Sequence, residues 1–214
     1  MKLLKFISVP RPSNYLYNVL LKRKVSTPTA VARWQQVENE NTQFRWNKIY
    51  TLPYVAVRDK KLQYFQFRFI HRILGVNEFL FKIKLIDSPL CSFCVIENET
   101  IDHLFWHCPI VAAFWKDVCT FCLKKPFSMS LNLARFGFLE DLKHPINFFI
   151  LQVKYFIFTC KVIGTDLSLL SFSYKFKSCL EIENFILQKK RLFSQITHFR
   201  ELFVYDLRSF PYIE

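Results

Sequence analysis

Apolar positions along this chain recur mostly at helical spacing. The clearest run covers residues 59–74, where Leu62, Phe65, Phe69 and Ile73 fall at i, i+3, i+7 and i+11. Tyr64, Phe67, His71 and Leu74 make a second stripe on the same segment. Asp59 is placed to cap the start, and Gly75 stands where a left-handed C-cap is expected. A helix apolar on two faces predicts a central place in the core, with Lys60, Lys61, Arg68 and Arg72 on what surface is left. A shorter helix, Glu78–Leu85, is expected after Asn77, and Pro89 leads into a cysteine-bearing stretch.

Other helices follow from the same reading. Tyr15, Tyr17, Val19, Leu20 and Leu21 predict a short helix near the start. Thr27 reads as an N-cap with Pro28 at the first helical position, ahead of Val31, Trp34 and Val37. A helix over Thr42–Tyr50, with Phe44, Ile49 and Tyr50 inward, is expected to end at Pro53. Pro109 opens a helix that turns Val111, Phe114, Trp115, Val118 and Cys122 inward. Residues 127–145 read as loop. Ile146–Ile163 and Glu181–Asp206 complete the set, the latter with Ile182, Phe185, Ile186, Leu192, Phe193 and Ile196 inward. The segment 146–164 is apolar but broken by Asn147, Gln152, Lys154 and Lys161. A bilayer span needs about 20 largely apolar residues, so a buried helix is expected and no membrane partner.

Composition agrees with packed helices: 25 Phe and only 3 Gly among 214 residues favour large buried side chains over a turn-rich β fold. The formal charge of +13 points to a polyanionic partner. Its distribution is uneven. Residues 91–108 contain no Lys or Arg but three acids, Glu97, Glu99 and Asp102. Seven cysteines without a secretory signal indicate an intracellular, reducing setting in which clustered thiols bind metal more often than they pair.

The cysteine stretch carries the pattern Cys91-x2-Cys94-x8-His103-x4-Cys108. Zinc takes tetrahedral sulfur and imidazole ligands, and a C-x2-C turn lets two thiolates converge. Three thiolates, one neutral His and Zn2+ sum to a net charge of about −1. Two other ligand sets are open by spacing. His107 can stand in for His103, and Cys119 with Cys122 can pair with Cys91 and Cys94, although both lie within an amphipathic helical pattern that suits core thiols. Cys160 and Cys179 read as core. Four ligands would close the site, which leaves no open position for a catalytic water.

Lys61–Leu74, Cys91–Cys94, Glu99–Cys108 and Phe114-Trp115 together resemble the reverse-transcriptase zinc-binding domain, found C-terminal to the polymerase in LINE-type non-LTR retrotransposon polyproteins. The likeness extends over roughly residues 30–205. It implies that Cys91, Cys94, His103 and Cys108 are the ligands of a structural Zn2+, and that Phe114-Trp115 anchors the finger to the core. It also implies binding to RNA or DNA. The family's polymerase uses a Tyr/Phe-x-Asp-Asp turn, and this sequence contains no Asp-Asp pair. The restriction-like nuclease pattern that begins Pro-Asp is missing too. The expectation is a non-enzymatic tail separated from its polymerase.

The sequence therefore predicts a mainly α protein with one small CCHC zinc-nucleated insert. Its expected parts are a basic segment 1–30, a helical region 31–90, the zinc module with its following helix 91–122, and a helical region 123–214. Arg58, Lys60, Lys61, Arg68, Arg72, Lys82 and Lys84 are the expected phosphate contacts. The alternative is an inert scaffold that meets a protein partner through an exposed apolar surface.

Overall fold

A computed structural model describes residues 12–24, 28–37 and 44–204. The chain divides into two units, 1–42 and 43–214. The first holds α1 (Pro12–Lys24) and α2 (Thr29–Val37). Helix α1 covers the apolar residues expected to be helical, but Tyr15, Tyr17 and Leu20 are exposed. The proposed cap Thr27, the start of the next expected helix at Thr42, and Asp206 lie outside the described residues.

The second unit is helical: α3 (Trp46–Ala56), α4 (Lys60–Ile70), α5 (Asn77–Lys82), α6 (Pro109–Cys122), α7 (Leu131–Phe136), α8 (Pro145–Ile163), α9 (Leu169–Lys189) and α10 (Phe193–Leu202). The expected mainly α fold with one Cys/His insert is what the structure has. Helix α8 is the axis of the core. Phe148, Phe149, Ile150, Val153, Phe156 and Ile157 are buried along it. Phe149 meets Phe172 and Phe176 of α9 edge-on at 6.2 and 5.3 Å, and Phe156 stacks on Phe114 of α6 at 5.7 Å. Such aromatic pairs add to the area they remove from water. By length and composition α8 is apolar enough to cross a membrane, but most of it is packed inside the protein.

Two polar residues on α8 are fully buried with their own partners. Asn147 donates from Nδ2 to the carbonyls of Phe138, Asp141 and Leu142 and accepts from the Phe138 N–H, which ties down the loop after α7. Lys154 donates from Nζ to Gln66 Oε1 (2.9 Å) and the Arg135 carbonyl (3.0 Å), and lies over the Phe69 ring. Burial holds its ammonium well below the usual lysine range.

Several sequence expectations are corrected. Asp59 does cap α4, its carboxylate accepting from the Lys61 N–H at 2.7 Å. The helix ends earlier than expected, however, and Arg72, not Gly75, takes the left-handed cap (φ 52°). The Ile73 N–H then reaches back to the Arg68 carbonyl at 3.0 Å. Ile73 and the second stripe are not uniformly core. Tyr64, Phe67 and Ile73 are exposed, and Gln63 and Gln66 are buried in their place because each finds a partner inside. Pro53 lies within α3 instead of ending it, buried beside Leu52. The expected loop over 127–145 contains α7, which starts at Ser130, whose hydroxyl accepts from the Leu133 N–H. The expected last helix is two, and the first of them starts at Leu169. Ile182, Phe185 and Phe193 point outward, while Phe172, Phe176, Leu180, Glu183 and Leu187 face the core. Glu183 is tolerated there because Arg58 pairs with it at 3.2 Å. Burial raises its carboxyl and Arg58 opposes the shift.

Candidate metal centre

The insert begins as a short antiparallel turn. Leu90 bridges Asn98, the Cys91 N–H donates to the Glu97 carbonyl (2.8 Å), and the Glu99 N–H donates to the Pro89 carbonyl (2.8 Å). This places Cys91 and Cys94 at the two ends of a tight turn closed by Val95 N–H to the Cys91 carbonyl (3.0 Å). The second pair comes from a different device. Thr100 caps a short helical segment by accepting the His103 N–H (3.0 Å), and His103–His107 then forms one π turn, closed by Cys108 N–H to the His103 carbonyl (2.8 Å). Positions five apart diverge on an α-helix but return to the same side of a π turn. The x4 gap between His103 and Cys108 is thereby matched to one metal.

The four candidate atoms lie within 4.8 Å of one another. Cys91 Sγ and Cys108 Sγ are 3.8 Å apart, and Cys94 Sγ and His103 Nε2 are 3.3 Å apart. A tetrahedral ion with zinc-like bonds of about 2.3 Å to sulfur holds two sulfurs about 3.8 Å apart. A disulfide would need about 2.05 Å. The donor set and its spacing therefore fit a metal ion. His107 is exposed and outside the cluster, and Cys119 and Cys122 are buried on α6 with their thiols pushed up by burial, to about 11 and about 12.

The thiols are poised unequally. Burial pushes Cys91 up to about 12, against the N–H groups of Cys94 and Phe93. Burial raises Cys108 as well, opposed by the N–H groups of Val111 and Ile110 at the start of α6. At Cys94, burial pushes upward but is outweighed by the N–H groups of Glu97 and Ile96 and by His103, which bring it down to about 6. Backbone donors directed at sulfur stabilise thiolates, the form that binds metal.

The three acids of the insert, read only as local negative charge from the sequence, each do something specific. Glu97 Oε2 accepts from His103 Nδ1 at 3.1 Å, which presents Nε2 to the site; an outer carboxylate commonly orients a ligating His in this way. Glu99 is completely buried. Its carboxylate accepts from the N–H groups of Asn77 (2.9 Å) and Ser92 (2.8 Å) and faces Lys161 Nζ at 3.4 Å. Asp102 bridges Arg72 (3.0 Å) and Arg135 (2.9 Å). These contacts join the insert to α4, α5, α7 and α8. The available sequence signal was the total lack of cations in 91–108: acids buried there must draw their partners from elsewhere. Trp115 completes the attachment, its Nε1–H donating to the Phe105 carbonyl at 2.9 Å.

Val95, just after the Cys91–Cys94 turn, has φ 54°, a left-handed conformation that a β-branched residue adopts only under strain. Its side chain is 64% exposed and contributes little burial. Val95→Gly should therefore stabilise the protein by about 1 kcal/mol, the strain relieved exceeding the extra chain entropy. The check is a higher denaturant midpoint at unchanged slope; a lower midpoint would contradict the strain.

The sequence-predicted cations differ in the partners they meet. Arg58 is paired with Glu183 and Arg72 with Asp102, while Lys82 pairs with Glu78 across one helical turn at 2.9 Å. Lys60, Lys61 and Arg68 share the outer face of α4, where Lys60 also donates to Gln63 Oε1 (3.1 Å). Lys84 is exposed just beyond α5.

Residues 13–115, just under half the chain, match a family model described as zinc-binding in reverse transcriptase. No curated protein and no solved structure matches the chain.

Proposed function

We propose, on the premise that residues 13–115 form a reverse-transcriptase zinc-binding domain, that this chain is a nucleic-acid-binding module of the LINE type, built around one structural zinc. Three thiolates and an imidazole are donors that suit Zn2+, and four protein ligands leave no open position for chemistry. The module is read as non-catalytic: its sequence has no Asp-Asp pair to hold polymerase metals. It is read as intracellular, because clustered metal-binding thiols suit a reducing compartment.

The observation that carries the nucleic-acid reading is the outer face of α4, with Lys60, Lys61 and Arg68 together. Lys82 and Lys84 add charge at the end of α5, and Arg58 and Arg72 contribute what their carboxylate partners leave uncompensated. The test is binding of the full chain to an arbitrary RNA as salt is raised. Three phosphate contacts should give a log–log slope of about −2. The same protein should not extend a primer. Failure to bind at low salt would refute the nucleic-acid reading, and metal-dependent DNA synthesis would refute the non-catalytic one.

A second reading, attachment to a protein partner, is favoured by one feature. Leu170, Tyr174, Ile182 and Phe185 form an exposed apolar stripe along α9. Under that reading alone, RNA binding would be absent at all salt concentrations.

A further inference from the structure

We infer that the shallow cleft between α3 and α4 is a stacking site for unpaired nucleotides, so that the module takes single-stranded RNA or DNA in preference to duplex. This rests on the nucleic-acid-binding reading and says which form of nucleic acid the α4 face takes.

The cleft, of about 360 Å3, is lined by Tyr54, Lys60, Gln63, Tyr64 and Phe67. Its three aromatic rings are not core residues. Tyr54, Tyr64 and Phe67 are 60%, 64% and 39% exposed, while Phe65 and Phe69 on the opposite side of α4 are buried. Phe67 is braced from behind: its ring lies 4.2 Å from His71, which lies 5.7 Å from Tyr50, itself 5.9 Å from Trp46. A ring held in this way needs little ordering when a ligand arrives. Arg68 lies over the Tyr64 ring at 5.8 Å, so positive charge and π surface are presented together.

Charge at the cleft matches a phosphate backbone. Residues 44–77 contain seven Lys and Arg and a single acid, Asp59, whose carboxylate is turned to the Lys61 N–H. Four of the seven are engaged elsewhere: Arg45 with Glu140, Lys48 with the Leu139 carbonyl, Arg58 with Glu183 and Arg72 with Asp102. The other three, Lys60, Lys61 and Arg68, meet no carboxylate among the described residues and stand on the same face of α4 as the rings, with Lys60 donating to Gln63 Oε1 (3.1 Å) and Arg68 to the Ile73 carbonyl (3.4 Å). Interleaved rings and cations are the arrangement that holds single strands, because every base has a π face while only the backbone carries charge. A duplex hides its base faces except at its ends, so it can use the cations but not the rings.

The experiment measures affinity of the full-length protein for a short oligouridylate, the matching oligothymidylate, and an RNA hairpin duplex of similar charge. Wild-type protein should bind the better of the two single strands about tenfold more tightly than the duplex. The Tyr54→Ala/Tyr64→Ala variant should lose about tenfold in single-strand affinity for each ring removed, with duplex affinity unchanged. Tyr64→Phe should keep wild-type affinity, because stacking does not need the hydroxyl. Lys61→Gln should weaken both forms alike and flatten the salt dependence. Both tyrosines are more than half exposed, and an unchanged circular dichroism spectrum verifies folding. If wild-type protein binds but the double variant loses nothing, or loses equally on duplex, the stacking site is wrong while nucleic-acid binding stands. If wild-type protein binds none of the three at low salt, the nucleic-acid reading falls and the stacking site with it. If the double variant instead abolishes self-association with strand affinity intact, the cleft belongs to a protein contact and the inference is overturned.

Discussion

Strong chelation should melt the insert and loosen its attachments while leaving most of the helical circular dichroism in place. Within residues 91–108 the only helical structure is the short segment leading into the π turn at His103–His107, so little helical signal is at stake. The insert's order is expected to come from the metal, because its backbone pairing amounts to one bridge and a few turn bonds. Metal binding at such sites is worth about 10–16 kcal/mol in isolated finger peptides, and there it is folding free energy. The core has its own Phe-rich packing across α6, α8 and α9 and should persist. It should nevertheless be weakened, because a melted insert withdraws Glu99 from Lys161 and Asp102 from Arg72 and Arg135. Tryptophan emission should shift, since the Trp115 indole donates to the insert's Phe105 carbonyl. Elemental analysis should give one zinc per chain beforehand. Cys94→Ser should retain metal more weakly and show the same partial melting. Loss of most of the helical signal on chelation would mean that the insert organises the entire second unit.

Glu99→Ala should be the most damaging single substitution outside the candidate ligands Cys91, Cys94, His103 and Cys108. Removing one partner of a buried, hydrogen-bonded ion pair typically costs about 3–5 kcal/mol, because the other charge is left without compensation. Here Lys161 would lose its carboxylate, and the N–H groups of Asn77 and Ser92 would lose their acceptor. Ser92 lies between Cys91 and Cys94 of the candidate site, so metal retention should fall along with stability. Glu78→Ala provides the control. It removes an exposed pair with Lys82 and should cost about 0.3–0.5 kcal/mol. Denaturant unfolding of both variants decides the matter: equal, small losses would show that Glu99 does not join the insert to the core. Glu99→Gln should be intermediate, since it keeps an acceptor but not the charge.

The sequence was informative wherever a few adjacent residues determine the outcome. The Cys91–Cys94 turn and the His103–Cys108 pair are legible because a metal demands particular ligand types at short separations. The Asp59 cap and the helix opened by Pro109 are legible for the same reason: capping and proline geometry act within one turn. The mainly α fold follows from spacing and from the scarcity of glycine. Which side of each helix faces inward was settled by tertiary structure. In a chain that is 51% hydrophobic, several helix faces qualify as apolar, and periodicity does not rank them. Tyr64 and Phe67 lost the interior to Gln63 and Gln66, whose amides meet the Val57 carbonyl and Lys154. Ile182 and Phe185 lost it to Glu183 and Leu187, because Arg58, far away in sequence, was there to meet a carboxylate. Glu99 and Asp102 likewise needed Lys161, Arg72 and Arg135, brought from two separate helices and the cap of α4. Burial of a polar group is affordable only where its partner arrives, and those partners come together only once the chain has folded.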